Sequence, residues 1–201
     1  MARLPLVDVD EMPTHYDAQD RLPGYEETRH AKEDRLRRST LLRALANNVD
    51  ILRLHTNAFL DLWREELTGL SGRETELVIL TVGRTFKSKN EWNSHLQNAV
   101  NQGVTEDELV ALADMDLDRF PENEAALVRY VEAICEMAVT DELHQELSEH
   151  YDDRTVVGID VLTGYYTLCA VVIDALIPED EQADTGEVSA DLGFERVIAP
   201  V

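Results

Sequence analysis

Residues 71–112, "SGRETELVILTVGRTFKSKNEWNSHLQNAVNQGVTEDELVAL", carry three helix-start signals in succession. Ser71 with Glu74, Ser88 with Glu91 and Thr105 with Glu108 each fit S/T-x-x-E, in which a hydroxyl and an acid satisfy the first free backbone N–H groups of a helix. Between the first two signals Leu77, Val78, Leu80 and Val82 lead to Phe86; after the second comes His95, and Gly103 marks a stop. The stretch predicts one helix, a short polar break and a second helix folded back on the first. A short third helix follows to about Asp114.

Helical spacing continues on both sides. Leu41, Leu42 and Leu45 form one apolar stripe, and after "NNVD" a second runs through Leu52, Thr56, Phe59, Leu60 and Trp63. Beyond "RFPENE" helices are expected over about 122–138, Asp141–His150 and 153–176. Strand alternation is lacking, so the expectation is an all-α domain of seven or eight helices over residues 36–177. Residues 1–35 read as a proline-containing polar arm, and residues 178–201 as an acidic tail with a late apolar patch at Leu192, Phe194, Val197 and Ile198. At 201 residues the chain suits one domain.

Charge narrows the function classes. The 41 acidic residues outnumber 18 basic ones, only Lys32, Lys87 and Lys89 being lysines, for a formal charge of -23. That field repels phosphate backbones and anionic lipid, so neither nucleic acid nor a membrane surface is an expected partner. Molar salt, where the Debye length is about 3 Å, screens such self-repulsion, and the composition fits a halophile's cytoplasm. The segment "VVGIDVLTGYYTLCAVVIDAL", residues 156–176, is apolar, but Asp160 and Asp174 make it a better buried central helix than a membrane span. No secretory signal is read at the start. Cys135 and Cys169 have neither CxxC nor metal-finger spacing and read as a reduced, buried pair.

The chemistry gathers around His95. Glu91 and His95 are four apart and share a helix face, with Trp92 placed to flank the imidazole. Glu76 sits among Leu77, Val78 and Leu80, where a carboxylate is costly unless it faces a polar partner, and the folded-back hairpin would bring it to His95. An imidazole oriented by a carboxylate suits general acid/base work near neutral pH. Plainer readings stand beside this one. Glu91 can serve as the capping acid for Ser88, Glu76 can pair with Arg73 on a wet face, and His95 can be structural. Glu76, Glu91 and His95 are also a donor set that a hard divalent ion accepts, although no metal or other cofactor is expected. His55 reads as packing, His15 and His30 as solvated, and His144 and His150 as too far apart to share an ion. Tyr165 and Tyr166, after Gly164, either line a pocket or pack the core, and the core is the favoured reading.

Residues 73–112 resemble the core of the carboxymuconolactone decarboxylase and alkylhydroperoxidase-D-like family, whose E-x11-C-x2-C-x3-H pattern falls on Glu76, Ser88, Glu91 and His95. Both cysteine positions are replaced, as in the cysteine-less E-W-x-x-H branch. The peroxidase branch needs a thiolate and a resolving thiol, so that chemistry is not expected here. The resemblance implies a carboxy-lyase acting on a small carboxylated or lactone substrate, with His95, Glu76 and Glu91 catalytic and Trp92 and Ser88 touching substrate. It also implies a homo-oligomer, whether dimer, trimer or hexamer. The alternative is a non-catalytic binding or scaffold oligomer that keeps the family core.

Overall fold

Most of the longer helices begin where a side chain can take up a free amide, the exception being the helix that follows Pro121. The computed structural model describes residues 3–12, 39–177, 185–195 and 198–199, with the backbone alone at 59–60 and 186–187. His15, His30, Val197 and most of the arm therefore lie outside the described residues, as do the side chains of Phe59 and Leu60. Ten α-helices and no strand occur within them: α1 (Thr40–Leu45), α2 (Val49–Leu62), α3 (Glu65–Thr68), α4 (Gly72–Thr85), α5 (Lys89–Asn101), α6 (Glu106–Asp114), α7 (Glu122–Cys135), α8 (Asp141–Ser148), α9 (Asp153–Leu176) and α10 (Thr185–Asp191). The all-α expectation holds. Ser71 and Thr105 form complete capping boxes with Glu74 and Glu108, while Asn48, Ser88, Thr140 and Asp152 each accept one amide at the start of their helices.

The reversal between α4 and α5 takes three residues. Phe86 ends α4, Lys87 adopts a left-handed φ of 53°, and the Ser88 N–H returns to the Gly83 carbonyl at 2.8 Å. This closure satisfies an end carbonyl of α4 and sends the chain back along it. Gly83 permits the approach: a methyl there would lie 3.1 Å from the Trp92 nitrogen and 3.3 Å from Cβ of Glu91. The two helices are thus closely packed beside Glu91.

Helix α4 is the central element, buried without interruption from Thr75 to Gly83. Val78, Ile79 and Val82 face a cluster with Leu127 and Val131 of α7 and Ile159, Leu162 and Tyr166 of α9. Leu77 and Leu80 face a second cluster with Trp92 and Leu96 of α5, Leu109 and Leu112 of α6 and Val128 of α7. A helix apolar on nearly every face needs such cover.

The expectation that 156–176 is the buried central helix is corrected. α9 buries Val156, Ile159, Leu162, Tyr166, Ala170 and Ile173, yet leaves Val157, Val161, Leu168 and Val171 exposed. It is long and apolar enough to cross a membrane by length and composition, but its inner face belongs to the core. Two short helices, α3 and α10, were not anticipated. Beyond residues 36–177, Met12 packs with Leu42 and Leu52, and Ile198 enters the cluster around Trp92.

Candidate functional site

Glu76 comes from the middle of α4 and His95 from the second turn of α5, and the hairpin sets Glu76 Oε2 2.8 Å from His95 Nδ1. Glu76 is 0% exposed, Glu91 3% and His95 8%. A carboxylate only accepts, so with Glu76 ionised Nδ1 carries the proton and Nε2 is left as the reactive nitrogen. Nε2 lies 3.9 Å from Glu91 Oε2, a charge contact longer than a hydrogen bond. The second oxygen of Glu76, Oε1, is buried and has no hydrogen-bond partner among the described residues.

Two aromatic rings wall the imidazole. Trp63, just after α2, lies 6.0 Å away between ring centroids and is tilted 30°, while Tyr166 of α9 meets His95 edge-on at 5.4 Å. The Trp63 indole N–H donates to the Tyr166 hydroxyl at 2.8 Å, which fixes the two rings against each other. Burial, with the nearby Glu91 charge, holds the Tyr166 hydroxyl well above its ordinary range, so this group stays protonated. Burial also raises the Glu91 carboxyl from 4.5 to about 7, against the opposing pull of His95. Near neutral pH Glu91 can therefore hold or release a proton beside Nε2.

Not every residue singled out from sequence arrives at this place. Trp92, expected to flank the imidazole, is fully buried in the second cluster, and its indole N–H donates to the Ile198 carbonyl at 2.7 Å. Being one residue on from Glu91 turns it about 100° away, to the face shared with Leu96 and Ala99. Ser88 caps α5, its hydroxyl accepting the Glu91 N–H at 3.4 Å. A complete capping box is present at Ser71 and Thr105 but not at Ser88, so the Glu91 carboxylate is directed to the interior instead. Arg73 engages Glu108 and Glu124 and not Glu76.

From sequence Trp63 is expected in a core stripe, and Tyr166, weighed as pocket lining or core, is assigned to the core, because the spacing of both fits a core stripe equally well. The signal was there in a Trp and a Tyr that each need a polar partner when buried. One turn beyond Tyr165 sits Cys169, whose thiol is pushed up by burial first and then by the Glu91 charge; burial raises Cys135 to about 11. Neither is poised as a thiolate. His55 stacks on Tyr165, with ring centroids 5.5 Å apart, and burial lowers it to about 4. Among the described residues no three His, Cys, Asp or Glu side chains are grouped so as to hold a metal ion.

Residues 54–133 match the Carboxymuconolactone decarboxylase family, a segment that contains Trp63, Glu76, Glu91 and His95. A cysteine-to-alanine variant of the debrominase Bmp8, solved in complex with 2,3,4-tribromopyrrole, has the same fold, with a TM-score of 0.69 at 15% identity over 96% of this chain and 98% of that one. No curated protein matches the chain.

Proposed function

From the match of residues 54–133 to the carboxymuconolactone decarboxylase family we propose that this chain is an acid/base enzyme, a carboxy-lyase acting on a small carboxylated lactone. The observation that carries the reading is the buried 2.8 Å contact between Glu76 and His95 Nδ1, which leaves Nε2 facing Glu91. In this scheme the bond from ring carbon to carboxylate breaks, CO₂ leaves, and the electron pair moves into the conjugated lactone carbonyl. The imidazolium of His95 then delivers its Nε2 proton to the dienolate carbon. Glu76 keeps Nδ1–H in place throughout, and Glu91, titrating near neutrality, returns a proton to Nε2.

The charge balance supports an anionic substrate despite the acidity of the chain. Below about 7 the Glu91 carboxyl is protonated and adds no charge beside Nε2 to repel an anion. Trp63 and Tyr166 offer two apolar ring surfaces, set at an angle to each other beside the imidazole, suited to a small unsaturated ring.

The test is CO₂ release from a panel of small carboxylated lactones, run in D₂O with product deuteration followed by NMR. His95→Gln is expected to lower kcat by about 10²–10⁴-fold, the usual worth of a positioned acid/base. Glu76→Gln should lower kcat with little change in KM, since Glu76 acts through His95. Turnover surviving His95→Gln within about twofold would remove His95 from the mechanism. Absence of turnover across the panel, with His95 ring resonances unmoved by any member, would favour the non-catalytic oligomer.

A further inference from the structure

Helix α9 shows solvent a stripe that its own core does not use. Val157, Val161, Leu168 and Val171 are 61%, 53%, 56% and 54% exposed, and a methyl on Gly164 would meet nothing within 4 Å. Arg154, whose guanidinium also donates to the Glu66 carbonyl, and Asp174, both exposed, end the stripe. Successive members are three and four residues apart, the spacing of one continuous helix face. A patch of this length and apolarity marks an interaction surface.

The pattern is also nearly the same in both directions about Gly164. Arg154 lies ten residues before it and Asp174 ten after; Val157 and Val171 lie seven to either side; Val161 precedes it by three and Leu168 follows by four. A second α9 crossing antiparallel at Gly164 would set Val157 against Val171 and Val161 against Leu168. Each Arg154 would meet an Asp174, twice per pair. Parallel alignment would instead oppose like charges at both ends. Glycine at the crossing allows close approach. Asp160, beside the stripe, is engaged by the Tyr130 hydroxyl on the α7 side. We propose that this face is the interface of a homodimer in which two α9 helices pack antiparallel across a two-fold axis at Gly164. The occupant is a second copy because the stripe complements itself in shape and in charge, a property no unrelated partner requires.

The test measures mass by light scattering across salt concentrations, because copies each carrying a charge of -23 associate only once screened. Wild type should be dimeric at about 1 M salt, where the Debye length is about 3 Å. Leu168→Glu should be monomeric with unchanged helicity. Thiols held at the axis have a high effective concentration, so Gly164→Cys should form a disulfide-linked dimer about tenfold faster than the exposed control Met137→Cys. At the lowest salt that keeps wild type dimeric, Arg154→Asp should weaken the dimer and adding Asp174→Arg should restore it. A monomer at every salt concentration, as when residues 13–38 cover the stripe, would overturn the proposal. So would a dimer that survives Leu168→Glu, or cross-linking at Gly164 no faster than at Met137.

Discussion

A carboxyl such as Glu91, raised by burial from 4.5 to about 7, ties folding to pH with a definite sign. The folded chain keeps a proton that the unfolded chain has already released, so the stability it brings is fully present below 4.5 and is lost as pH rises through 7. The upper bound is about 3 kcal/mol. His55, lowered by burial to about 4, works the other way: its contribution is present above 6.5 and lost as pH falls toward 4. Between 4.5 and 6.5 the two oppose each other. Glu91→Gln is therefore expected to raise the melting temperature at pH 8 while changing it little at pH 5, as followed by circular dichroism. Parallel melting curves for the two proteins at both pH values would show that Glu91 is not held in this environment. The i, i+4 spacing made the shared face of Glu91 and His95 legible. Trp63 and Tyr166 were not, because a residue's place in an apolar stripe does not say which neighbour its ring meets.

At the scale of elements, hydroxyl-to-acid spacing located α4, α5 and α6, and polar breaks separated α7, α8 and α9. The four-residue α3 left no signal because Glu65–Thr68 is too short to show a period. It nevertheless fixes one of the tightest crossings in the fold. A methyl added at Gly158 on α9 would stand 2.3 Å from the Thr68 carbonyl oxygen and 2.8 Å from its Cα. These are backbone atoms, which cannot swing aside as a side chain does, so the two helices must separate. Gly158→Ala is expected to destabilise by about 1–3 kcal/mol despite alanine's better helix propensity. A melting temperature unchanged or raised would mean that the α3–α9 contact is looser than described. The apolar run in α9 misled for a related reason: hydropathy counts Val157 and Leu168 like Ile159 and Leu162, and cannot tell which of them faces outward.

For the whole molecule, the imbalance of 41 acids against 18 bases was plain from composition, and the fold shows where some of the few cations are used. Arg73 bridges Glu108 and Glu124, Arg84 pairs with Glu132, and Arg129 pairs with Glu146. Carboxylates left over repel one another, which opposes the compact state more than the expanded one. Added salt should therefore raise the melting temperature, and the shape of the rise identifies its cause. Screening is nearly complete once the Debye length reaches about 3 Å at 1 M, so a screening effect climbs steeply at low salt and flattens near that concentration. Exclusion of salt from the protein surface keeps rising with concentration and depends on the salt, sulfate exceeding chloride. Melting in sodium chloride from 0.05 to about 3 M, repeated in sodium sulfate at matched ionic strength, separates the two. The two series should coincide below 1 M and part only above it. A melting temperature flat across the low range would mean that the surplus carboxylates already stand far enough apart to be harmless in dilute buffer.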